Sequence, residues 1–131
     1  MSEKEMIRAA KNGNSAKLAE FLDSDPALIN ARDSDGSSPL HCAAWKGHAD
    51  AVTLLLQRGA DVADENQNGH WGGTALHAAA HGNQKAVAEV LIQNGADVNK
   101  VCFKGTTPLQ ETVAHKATAV ARLLKANGAT E

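Results

Sequence analysis

The apolar positions of this chain fall in short helical patches separated by glycines and polar turns. Near the start, Ile7, Ala9 and Ala10 form one patch, Gly13 interrupts it, and Leu18, Phe21 and Leu22 form a second. Further on, Val52, Leu55 and Leu56 repeat the helical spacing, and Gly59 lies just beyond them. Residues three and four apart share one face of an α-helix. The pattern therefore predicts pairs of short amphipathic helices with a break inside each pair. Helices of a few turns are unstable alone in water because nucleation is costly, so each must bury its face against neighbours.

The pairs are copies of one unit. Ser38-Pro39-Leu40-His41, Thr74-Ala75-Leu76-His77 and Thr107-Pro108-Leu109-Gln110 are variants of a single tetrapeptide, with final residues 36 and then 33 apart. Gly59-Ala60-Asp61-Val62, Gly95-Ala96-Asp97-Val98 and Gly128-Ala129 recur at the same spacings. A period in this range marks a stacked repeat array. Within one unit, Asp33-Ser34-Asp35-Gly36 is a turn signal. Ser38 is placed to cap a helix, and Pro39 suits the first helical position. His41 lies three residues after the cap, where its ring reaches back as Glu or Gln does in a capping box. The helix is expected to end at Gly47, with a second one from Ala49 to about Gln57.

These motifs resemble the ankyrin repeat family along nearly the whole chain. Residues 33–62 carry its pattern almost complete, with Gly47-His48 at the interhelical break. Residues 72–99 carry it with Ala75 in place of Pro and Gly82-Asn83 near the break. The resemblance implies an all-α fold class: an ankyrin repeat solenoid of about four helix-turn-helix repeats with projecting hairpin loops. It also implies a concave groove lined by hairpin tips and first helices. One domain over residues 1–131 is expected, with repeats at about 2–32, 33–66, 67–101 and 102–131. The ends depart from the pattern, as array caps do. Asp25-Pro26-Ala27-Leu28-Ile29-Asn30 replaces the Gly-Ala-Asp-Val-Asn segment, and the last repeat has Gln110 for His and Lys116 at the interhelical glycine. The resemblance further makes Asn99 a candidate for hydroxylation; the plainer alternative is a turn residue bonding its own backbone.

Composition narrows the function classes. Hydrophobic residues are 43% of the 131, but aromatics only 3%, so the core is built from small and branched aliphatics. A net charge of −2 gives no reason to expect nucleic acid or an anionic membrane. Two cysteines make no disulfide framework. No signal-peptide core and no run of roughly 20 apolar residues is present, so a cytoplasmic protein is expected. A capped array has no need to dimerise, and a monomer is expected.

Three departures from the generic repeat point to a binding surface. Val62 to Gly72 spans ten positions where Ile29–Gly36 and Val98–Gly105 span seven, so a three-residue insertion lies within 63–71. It is either a tolerated surface loop or a lengthened finger that touches a partner. Of four aromatics, Phe21 reads as core. By the resemblance, Trp45 faces the groove, and Trp71 and Phe103 sit at hairpin tips. Aromatics at such positions are favoured as interface anchors, although local packing is the alternative. Several histidines lie near them: His41, His48 and His77 read as structural, whereas His70, His81 and His115 belong to the candidate surface.

No catalytic constellation is present: no phosphate-binding loop, no nucleophile elbow and no Cys-x-x-Cys. Cys42 reads as a small core residue. His77 and His81, four apart, lack the further ligands of a zinc site, so neither a metal nor a cofactor is expected. The chain reads as a protein-interaction module rather than an enzyme. Its expected contact residues are Ser34, Asp35, Ser37, Trp45, Lys46, His70, Trp71, His81, Phe103, Lys104 and His115. The alternative is a regulatory subunit or inhibitor of a partner enzyme acting through the same surface.

Overall fold

In a computed structural model of the chain, residues 2–70 and 72–130 are described. Four helix pairs follow one another. They are α1 (Glu3–Lys11) with α2 (Ser15–Ser24), α3 (Pro39–Lys46) with α4 (Ala49–Gln57), α5 (Ala75–His81) with α6 (Lys85–Gln93), and α7 (Pro108–Ala114) with α8 (Thr118–Ala126). A short 3-10 helix, Pro26–Asn30, follows α2, where Asp25 accepts from the Ala27 N–H. The helices α1, α3, α5 and α7 stack in one layer, and α2, α4, α6 and α8 in a second. Met6, Leu18, Leu40, Leu55, Leu76, Leu91 and Leu124 lie fully buried along the seam between the layers. The first helices carry runs of buried alanine, Ala43-Ala44 and Ala78-Ala79-Ala80, which let adjacent axes come close.

The tetrapeptides act as read. The Ser38, Thr74 and Thr107 side chains accept from the N–H three residues on, and the ring of His41 or His77, or the Gln110 amide, takes the cap's own N–H. Each α3–α4-type break turns on one left-handed residue, namely Gly13, Gly47, Asn83 and Lys116, with φ of 67°, 82°, 54° and 55°. Glycine adopts this region freely, asparagine tolerates it, and lysine is strained there.

The projecting loops are tight turns. Among the described residues no strand forms; each loop is a turn closed at its base. Asp33 N–H donates to Ser37 O (3.0 Å) and Cys102 N–H to Thr106 O (2.9 Å). One such bond per loop is too little for a β-ladder. The equivalent bond in the long loop runs from Asn66 N–H to Gly73 O (2.9 Å). The insertion therefore lies between Asn66 and Gly73. There the left-handed residue is Gly73 (φ 118°), not Gly72, because the longer loop closes differently.

Candidate functional site

The left-handed break residue supplies a common register for the first helices. Two positions before it stand Lys11, Trp45, His81 and Ala114; one before it, Asn12, Lys46, Gly82 and His115; five before it, Arg8, Cys42, Ala78 and Glu111. Hydrogen bonds confirm the register. His48 Nε2 meets the Lys11 carbonyl (2.9 Å), as Gln84 Nε2 donates to the Trp45 carbonyl (3.2 Å). The first two columns line the face that α1, α3, α5 and α7 present between the loops, and in the third Cys42, Ala78 and Glu111 are buried beneath it.

In the middle of this face Trp45 is half-buried, with the Lys46 ammonium 4.5 Å from its ring centroid. A cation over an indole face is attracted by the ring quadrupole. Cys42, beside them in the register, is fully buried, and burial pushes its thiol up to about 12. Asp33 adds to that shift, while Lys11 and Lys46 oppose it. A thiol held so far from ionisation is no nucleophile at neutral pH.

Toward the C-terminal end, His81 and His115 are in ring contact, with centroids 3.8 Å apart. Burial holds His81 below its ordinary value, and the adjacent His115 lowers it further. Its Nδ1 is buried without a hydrogen-bond partner among the described residues. Glu111 lies beneath this pair, its Oε2 3.6 Å from His115 Nε2. Burial alone would push the Glu111 carboxyl up. The Thr106 hydroxyl (2.8 Å) and the Lys104 ammonium (3.1 Å) more than offset this and hold it below the usual range. Lys104 also donates to the His70 carbonyl (3.1 Å), tying the long loop to the last unit. Among the described residues, no group of three or more His, Cys, Asp or Glu is placed to hold a metal ion.

The structure sorts the expected contact residues. Ser34, Asp35, Lys46, His70, Phe103 and His115 are exposed, and Trp45, His81 and Lys104 half-buried. Trp71 lies outside the described residues. Ser37 must be removed: it is fully buried, its Oγ accepts from Asn66 Nδ2 (2.7 Å), and its N–H donates to Asp33 Oδ1 (2.9 Å). It holds two loops together and faces no solvent. Asp35 is exposed but partly engaged, taking Asn68 Nδ2 at 3.2 Å and, through its carbonyl, the Gln67 N–H at 2.8 Å. Lys104 is neutralised by Glu111, so its charge is spent within the fold.

Three residues of this face were missed. Arg8 and Lys11 sit in a first unit without the tetrapeptide, although Gly13, 34 residues before Gly47, sets their register. Glu111 occupies a position held by Cys42 and Ala78 elsewhere, and an acid at a small-residue position is a readable signal.

A family model described as ankyrin repeats (3 copies) matches residues 4–66 and 62–130. Among curated proteins, the chain is 40% identical over 78 residues to a probable E3 ubiquitin-protein ligase of Oryza sativa subsp. japonica, covering 50% of this chain and 15% of that protein. It is 38% identical over 64 residues to oxysterol-binding protein-related protein 1 of Rattus norvegicus, covering 48% and 7%. It is 43% identical over 53 residues to a serine/threonine-protein kinase of Arabidopsis thaliana, covering 40% and 12%. The matches thus take in only a small fraction of each relative's length.

Proposed function

The chain belongs to the ankyrin-repeat family, and from that premise we propose that it is a protein-binding module whose partner lies along the face of α1, α3, α5 and α7. Ankyrin repeats are generally protein–protein interaction modules. The observation that carries the reading is the column of Lys11, Trp45 and His81. One edge of the Trp45 ring packs on the core, and the half-exposed remainder lies under the Lys46 ammonium, flanked in the column by Lys11 and His81, on the face open to a partner. Large amphipathic side chains at the centre of a face are what anchor protein interfaces. The stacked helices hold these groups rigidly, so little conformational freedom is lost when a partner docks. The long loop, with exposed His70, and the loop beside it, with Phe103 45% exposed, extend the surface at one edge.

The test is capture of partners from lysate on the wild-type chain beside a Trp45→Ala, Phe103→Ala double variant. Circular dichroism first establishes that the variant folds. Partners retained by wild type and lost by the folded variant support the reading. Equal capture by both moves the site off this face.

A further inference from the structure

We propose that the partner segment at the N-terminal end of this face is an acidic stretch of polypeptide, its carboxylates met by Lys4, Arg8 and Lys11. The inference rests on the groove reading above and names the chemistry of what binds there.

A hollow of about 660 Å³ opens beside α1. Four cations line it, against two acids, Glu3 and Asp33. Asp33 is engaged, since its Oδ1 accepts from the Asp35 and Ser37 N–H groups at 2.9 Å each. Among the described residues, Lys4, Arg8 and Lys11 make no ion pair, and all three are exposed. Arg32 is fixed at the rim by Asp64 and by the Gly36 carbonyl. Lys46 continues the stripe onto α3, where it and Lys11 act on the same Cys42 thiol.

Spacing sets these cations side by side on α1, with Arg8 and Lys11 in its last turn, where the helix dipole favours positive charge. Lys4 and Arg8 are four apart on α1, and Arg8 and Lys11 three apart. Like charges at these separations are neighbours on the helix surface and repel. A chain of net charge −2 has acids to spare, yet among the described residues none is paired with Lys4, Arg8 or Lys11. An external anion removes the repulsion and gains charge-assisted hydrogen bonds, bidentate ones from Arg8. Ile7 also lines the hollow but is buried in the core, so recognition there is carried by the charges. A polynucleotide would require a broader basic field than a net-acidic chain provides.

The experiment is selection of a random dodecapeptide display library on the full chain. The parallel targets are Arg8→Gln/Lys11→Gln, the charge reversal Arg8→Glu/Lys11→Glu, and Trp45→Ala, each checked by circular dichroism. The wild-type pool is expected to hold Asp and Glu at no less than about twice their frequency in the naive library. Its members should weaken about tenfold on the glutamine variant. The charge-reversed chain should instead select Lys and Arg. A wild-type pool without acidic enrichment overturns the proposal, as does an acidic pool that binds the glutamine variant equally well. A non-acidic pool lost on Trp45→Ala sinks the acidic partner while leaving the groove reading standing. A pool indifferent to both Trp45→Ala and the glutamine variant sinks both. A single-stranded dodecanucleotide that binds as tightly as the selected peptides would replace the polypeptide with nucleic acid and overturn the proposal.

Discussion

His41 Nε2 stands 2.8 Å from the carbonyl oxygen of Asp64, in the loop that opens the next unit. Its Nδ1 accepts the Ser38 N–H at 3.1 Å, so the ring proton sits on Nε2 and is donated to Asp64. His77 repeats the arrangement, with Thr74 N–H at 3.1 Å and the Thr106 carbonyl at 2.9 Å. Each ring thus caps its own helix and ties it to the following loop. Among the described residues Gln110 makes the near half alone, its Oε1 taking the Thr107 N–H at 2.9 Å.

This separates two substitutions at one site. His77→Gln keeps the cap and loses the tie to Thr106, and is expected to cost about 1–2 kcal/mol. His77→Ala loses both and leaves polar groups unpaired, costing about 2–4 kcal/mol. Urea denaturation of the two variants checks the order. Equal losses would show that the tie contributes nothing.

Both rings are held neutral: burial lowers His41 and His77 below the ordinary 6.5. The unfolded chain therefore binds more protons than the folded one below that value. The stability the two rings contribute is fully present above about 6.5 and is lost as pH falls through their folded values. Glu111, also lowered, loses its contribution further down, below its ordinary 4.5. The urea midpoint is expected to be flat from pH 8 to 7 and to decline from 6.5 to 5. A His41→Gln/His77→Gln chain should decline less over that window.

Cys42 is expected to resist thiol reagents in the folded chain. Its thiol is fully buried and pushed up to about 12, so almost no thiolate exists at neutral pH. Mass spectrometry after brief alkylation should find Cys42 unmodified in buffer and labelled in urea. Rapid native labelling would contradict this placement.

Lys116 occupies the left-handed break position, with φ 55°, where earlier units have Gly13 and Gly47. Lys116→Gly removes that strain and is expected to raise stability by about 0.5–1 kcal/mol, net of the extra freedom of the unfolded chain. Thermal denaturation measures it. A fall in stability would mean that the lysine side chain has a packing role.

Much of this was legible because the repeat is a local device. The cap, the ring three residues on and the left-handed break each act within a few residues, so sequence spacing was enough to place them. Contacts between units were harder to read. Ser37 is among the expected contact residues, yet Asn66, 29 positions away, helps bury it. Lys104 is another expected contact residue, and Glu111 neutralises it across the next helix start. Arg8 and Lys11 were hidden because the first unit lacks the tetrapeptide that marks register, leaving only Gly13. The length of the long loop was visible, but its extra residues were localised only by the Asn66–Gly73 bond.

The most direct test of groove binding is photo-crosslinking in cell lysate, with benzoylphenylalanine placed at either of two exposed alanines. Ala114 lies in the column of Trp45 and His81, whereas Ala86 lies on α6 in the other helix layer. Crosslinked partners from position 114 and none from position 86 are the expected result. Adducts from position 86 alone would place the partner on the opposite layer and contradict the groove.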